Sequence, residues 1–355
     1  MKKILKMLMI VVIFAVFSLN VSAKTADEYI NEFEEILPDE NSDVTDFVAE
    51  GGGIDKLLSE LVSVLGGKLP SVLLFFLSLI GIILIMSTLS FIPDGVRETA
   101  EIGVSVISAL FVASSAVGVF SEVITALSEV NGFLSSAVPV MSAITLAGGG
   151  VKGAATQAAG MNLVLSAVGG GFGTALSLLC GFSLAMGLAA SFGGEGNRAV
   201  GRYAKGLFGW VFGIATALFM GVLSLQTFIS ASSDSAAMRT AKYMASGTIP
   251  LVGGTVSASL STLASGLSYA KGVVGASAVI VMLTILLSPF VITLLYRLAL
   301  SVASGVAGLL GVRAAETGFS AFRSSFDLLI GVYGLSSVLY IFEIILFIKS
   351  GVALI

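Results

Sequence analysis

LPSVLLFFLSLIGIILIMSTLSFI, Leu69 to Ile92, carries no charged side chain. At about 1.5 Å per helical residue it is long enough to cross the ~30 Å hydrocarbon core of a bilayer. Comparable runs recur at Ile102 to Ser121, Gly132 to Gly148, Leu207 to Ala231, Gly272 to Tyr296 and Phe326 to Ile348. Only 11% of the 355 residues are charged and 56% are hydrophobic, whereas a soluble domain carries roughly 25% charged residues. In lipid every backbone N–H and C=O must be satisfied within the chain, and apolar runs of this length do so as helices. The expected fold is therefore all-α: a polytopic helical membrane protein of about eight spans, with Gly-rich broken or re-entrant helices.

The ends follow from charge. Lys2, Lys3 and Lys6 precede the apolar run Met7 to Leu19, and Val21-Ser22-Ala23 offers small residues for cleavage, so residues 1–23 are expected to be a signal peptide. The alternative is an uncleaved anchor. Twelve of the twenty-two acids lie between Asp27 and Glu60, which makes residues 24–68 an acidic external segment with short helices, one of them at Ile54 to Leu65. Residues 69–355 form the membrane domain. An external mature amino terminus places the Pro93 to Glu101 loop inside, a Glu122 and Glu129 loop outside and a Lys152 loop inside. Ala159 to Gly193 is either one long helix or two short ones folded at Gly169-Gly170-Gly171. Two spans there return Arg198, Arg202 and Lys205 to the cytoplasmic side, as the excess of Lys and Arg in inner loops requires. Leu298 to Val312 is short for a crossing and reads as re-entrant or interfacial.

The chemical repertoire is narrow. There is no His to act as base or metal ligand, and Cys180 alone can form neither an internal disulfide nor a cysteine cluster. Cys180 reads as a small packing residue. Neither a Gly-x-Ser-x-Gly beside a base nor a phosphate-binding Gly-x-x-x-x-Gly-Lys loop occurs. No enzymatic activity, metal or cofactor is expected. Without a basic run interleaved with aromatics, nucleic acid is not an expected partner.

Four features could carry function. Arg198, Arg202 and Lys205 fall on one helical face, where they attract anionic lipid headgroups or dock a cytoplasmic partner. Ser257, Ser261, Ser265 and Ser268 share a face of the stretch Thr255 to Lys271. They either line a water-filled cavity or lie flat at the interface, bonded to their own i−4 carbonyls. Small residues at helical spacing, such as Gly181, Ser183, Gly187 and Ser191, permit close helix approach. Glu343 sits inside the last apolar run, about 8 Å from its end. An intramembrane acid is a functional candidate, set here against snorkelling toward the interface beside Lys349 or a neutral local hydrogen bond.

The run Gly221 to Leu263 reads GVLSLQTFISASSDSAAMRTAKYMASGTIPLVGGTVSASLSTL. Gln226, Asp234, the core Arg239-Thr240-Ala241-Lys242 and Ile249-Pro250 follow one another in an order that resembles the characteristic segment of the stage III sporulation protein AE family. The resemblance implies a component of the mother-cell complex in endospore-forming bacteria, inserted in the membrane around the engulfed forespore. Its partners would be other stage III sporulation membrane proteins, among them an ATPase and ring-forming proteins. The protein would be a permease-like subunit of a secretion-like channel needed for late forespore gene expression. Asp234, Arg239 and Lys242 would lie in an external loop, either as a local clamp or as a subunit contact. Two other functions stay open: a secondary transporter acting alone, and a passive scaffold for the ring-forming proteins.

Overall fold

The computed structural model describes residues 52–91, 93–172, 174–176, 178, 181, 185, 206–207, 209–229, 236, 239 and 253–349. All regular structure among them is helical. Helix α1 covers Gly52–Thr88 and a 3-10 turn, Leu89–Phe91, leads toward α2, Asp94–Ala147. Helix α3, Val151–Ser166, continues through a π-helical segment, Ala167–Phe172, to Leu176. Helix α4 is Gly209–Ile229, α5 is Gly253–Leu309 and α6 is Arg313–Lys349. By length and composition, six helices among the described residues can cross a membrane.

Two hairpins are closed by the same device. Gly149 at φ 76° and Gly311 at φ 73° end α2 and α5 in the left-handed conformation that glycine adopts without strain. The N–H of Gly150 donates to the Thr145 carbonyl at 3.1 Å and that of Gly149 to Leu146 at 2.9 Å. At the other turn Val312 donates to Ala307 at 2.9 Å and Gly311 to Gly308 at 3.2 Å. Both are Schellman caps, which satisfy terminal carbonyls and reverse the chain within a few residues.

Helix α5 packs against α1, α2 and α6, and contacts at two levels fix how they run. At the first level Phe75 of α1 meets Tyr296 of α5 at 4.7 Å and Phe111 of α2 at 5.6 Å. Phe326 of α6 meets Tyr296 and Phe120, each at 6.2 Å. Such ring pairs add about 0.5–1.5 kcal/mol beyond their burial. Charge gathers beside them: Lys68 Nζ donates to Glu122 at 2.9 Å, and Arg297 pairs with Asp327. At the second level the Tyr340 hydroxyl of α6 donates to Asn131 of α2 at 3.2 Å. From Phe326 to Tyr340 is about 21 Å along α6.

Helix α2 therefore runs parallel to α6 from the first level to the second, while the apolar run of α1 extends the opposite way, beside the start of α2 and the α5–α6 turn. The structure has two apolar zones, one on either side of the charged residues Lys68, Glu122, Arg297 and Asp327.

Several sequence expectations change here. The runs at 102–121 and 132–148 belong to one 54-residue helix, so Glu122 and Glu129 lie within α2 and not in an external loop. Locally, no helix breaker separates the two runs, and Pro139 lies inside the second; from another helix, Lys68 pairs with Glu122. The chain does not fold back at Gly169-Gly170-Gly171; a π turn absorbs the glycines and the helix continues. Lys152 is in the first turn of α3. Ile54 to Leu65 continues into α1. Thr255 to Lys271, Gly272 to Tyr296 and most of Leu298 to Val312 merge into the 57-residue α5, so Leu298 to Leu309 is not a separate element but one arm of the α5–α6 hairpin. The six candidate spans stand against about eight expected.

Candidate functional site: a buried carboxyl where three helices meet

Tyr340, Glu343 and Phe347 lie on one face of α6, at the spacing that brings helical side chains together. That face meets α3 at a glycine. A Cβ built on Gly160 would lie 2.9 Å from Glu343 Oε1 and 3.2 Å from a methyl of Leu223 on α4. The missing side chain is the space the carboxyl occupies. Glu343 is 3% exposed and Leu223 1%, and Glu343 Oε2 is buried without a hydrogen-bond partner. Snorkelling toward Lys349 is thereby overturned: the side chain turns into the bundle, because Gly160 leaves room there.

Amides line the same seam. Asn131, which accepts the Tyr340 hydroxyl, abuts Gly169 of α3. The Thr145 hydroxyl of α2 donates to Gln157 Oε1 of α3 at 2.9 Å, while Gln157 Nε2 is buried and unpartnered. In lipid, where apolar surface does not drive helices together, such interhelical bonds and glycine approaches hold the contact. On the far side Lys271 of α5 is 1% exposed, with Nζ 5.4 Å above the Phe347 ring. Gly275 lets α5 close on Phe347 and Ile348.

Sequence reasoning found Glu343 and missed Gly160, Asn131, Gln157 and Lys271. Their signal was present as isolated polar residues inside apolar helices, but which of them face one another depends on helix pairing.

The other expected residues are dispersed. Gln226 lies on α4, half-buried, one turn beyond Leu223. Arg239 is helical and exposed. Ser265 and Ser268 are on the exposed surface of α5, and Ser257 and Ser261 belong to the same helix. Asp234, Thr240, Lys242, Pro250, Arg198, Arg202, Lys205, Cys180 and the expected signal peptide lie outside the described residues. Among the described residues no three His, Cys, Asp or Glu side chains come together as metal ligands.

Residues 52–351 match the family of stage III sporulation protein AE. The chain belongs to that family. The match spans all six helices, so the Glu343 seam lies within the part that stage III sporulation protein AE members share as a family, and a role in sporulation follows from membership. No curated protein and no solved structure matches the chain.

Proposed function

We propose that this protein is the membrane-embedded, permease-like subunit of a sporulation channel linking mother cell and forespore, needed for late forespore development. It performs no chemistry of its own, and a partner ATPase supplies the energy. Other stage III membrane proteins and ring-forming proteins complete the complex, in the mother-cell membrane around the forespore.

The observation that carries the reading is the outer surface of α5. Thr262, Ser265 and Ser268 are exposed there on a chain whose other exposed surface is rich in large apolar residues such as Leu218, Leu225 and Phe228 of α4. A hydroxyl face turned outward from one chain is suited to line water between subunits. Orientation follows the basic residues. By the excess of Lys and Arg in inner loops, Arg198, Arg202 and Lys205 belong on the cytoplasmic side and the mature amino terminus outside. Trp210, 67% exposed at the start of α4, fits the aromatic belt of the adjoining interface.

The test places single cysteines at Ser265, Ser268 and Ala237 in a Cys180→Ser chain and treats sporulating cells expressing the whole complex with a membrane-impermeant thiol reagent. Labelling of Ser265 and Ser268 in the assembled complex is expected. Protection of both, with Ala237 labelled, would remove the water-lining role. The buried Glu343 favours a second reading, a transporter acting alone; ion or solute flux into liposomes holding only this protein would favour it over the subunit reading.

A further inference from the structure

Glu343 is the buried acid of the seam between α3, α4 and α6, and the arrangement around it shows what it lacks. Oε1 fills the gap at Gly160, and Oε2 reaches no donor. Leu223 of α4 shares the gap, and one turn away along α6 or α3 lie Asn131 of α2, engaged by Tyr340; Gln157 of α3, bonded to Thr145; and Lys271 of α5, whose ammonium sits over the Phe347 ring. No ion pair to Glu343 exists among the described residues. A carboxylate enclosed in this way has lost its water and found no counter-charge, a condition relieved by a bound positive charge.

We infer that the Glu343 carboxyl binds a single positive charge, a proton or a small monovalent cation, in the recess opposite Gly160. One carboxylate does not suit a hard divalent ion, which takes six or more oxygens, usually from several carboxylates, and the described residues bring no three His, Cys, Asp or Glu side chains together there. The ligand neutralises a buried charge at the contact of α4 with α3 and α6, because Leu223 abuts the same recess. Occupancy then sets how firmly α4 seats, and α4 leads directly into the family segment at Gln226. The inference rests on packing and not on the channel reading, so either can fail without the other.

The test uses dicyclohexylcarbodiimide on the full chain in detergent. The acid O–H adds across one N=C bond of the reagent, the proton going to nitrogen and the carboxyl oxygen to carbon, and acyl migration leaves a stable N-acylurea with nothing released. Peptide mass spectrometry is expected to find the adduct at Glu343 and to lose it in Glu343→Gln. A severalfold fall when sodium replaces choline at fixed pH identifies the ligand as a monovalent cation. A fall only as pH rises identifies a proton. Absence of the adduct from mildly acidic to mildly alkaline pH, or an adduct indifferent to both sodium and pH, overturns the site. Gly160→Ala should cut labelling severalfold. Gly170→Ala, where a Cβ meets nothing within 4 Å, should leave it unchanged. The unmutated arms decide the matter even where Gly160→Ala fails to fold.

Discussion

Asp327 has more to hold than its neighbours at the charged level. It pairs with Arg297 across the α5–α6 hairpin, and Arg323, one turn earlier on α6, donates to Ser301 at 3.3 Å while its Nε is buried without a partner. Two guanidiniums thus lie within one turn of Asp327 on the α5–α6 face. Its side chain is 17% exposed, against 42% for Glu122 and 39% for Lys68. The two ion pairs should therefore differ in worth. Asp327→Asn, which leaves Arg297 facing no carboxylate, is expected to cost about 2 kcal/mol, between the exposed and fully buried limits. Lys68→Gln is expected to cost about 0.5 kcal/mol or less. Thermal unfolding of the purified protein in detergent measures both, and equal losses would show that exposure does not govern them.

At the scale of the element, the decisive question is what happens between Ser121 and Gly132. The polar residues there read as a loop when each apolar run is measured against one bilayer, because sequence periodicity carries no information about where a helix leaves the membrane. Lys68 resolves it by pairing with Glu122 from another helix, a partner 54 positions away that no local window contains. The same limit explains the glycines at 169–171. They can turn a chain or let two helices touch, and it is Asn131, pressed against Gly169, that shows the second use. What was legible was the helical class, the apolar cores of α1, α4 and α6, and Glu343 as an acid out of place. What was not legible was pairing, and with it every interhelical partner of Glu343. A cysteine scan checks the continuity of α2. Thr125 and Ser128 are exposed, and Val123, Ala126, Leu127 and Val130 are buried. Labelling by a small thiol reagent should rise and fall with the helical repeat across these positions, whereas a loop would label throughout.

For the whole molecule, the two apolar zones add up to more height than one bilayer covers. Leu73, Leu77 and Ile85 are exposed on one side of the charged level, and Leu218, Leu225 and Ile345 on the other. Helix α2 alone is about 81 Å long at the standard rise, against a hydrocarbon core of about 30 Å. The purified chain should accordingly bind distinctly more detergent than a six-span bundle of ordinary height, as light scattering combined with absorbance and refractive index would show. A normal detergent belt would mean that the zones are brought into register in solution.

Helix α2 also has a mechanical meaning. Its one internal proline, Pro139, lies beyond Asn131, so from Asp94 to Asn131 the helix is an unkinked shaft running through both levels. A roll of this shaft at the Arg97 end would move Asn131, which holds the Tyr340 hydroxyl and abuts Gly169. The start of α2 and the hydrogen bond beside the Glu343 recess, on opposite sides of the charged residues, thus share one rigid element.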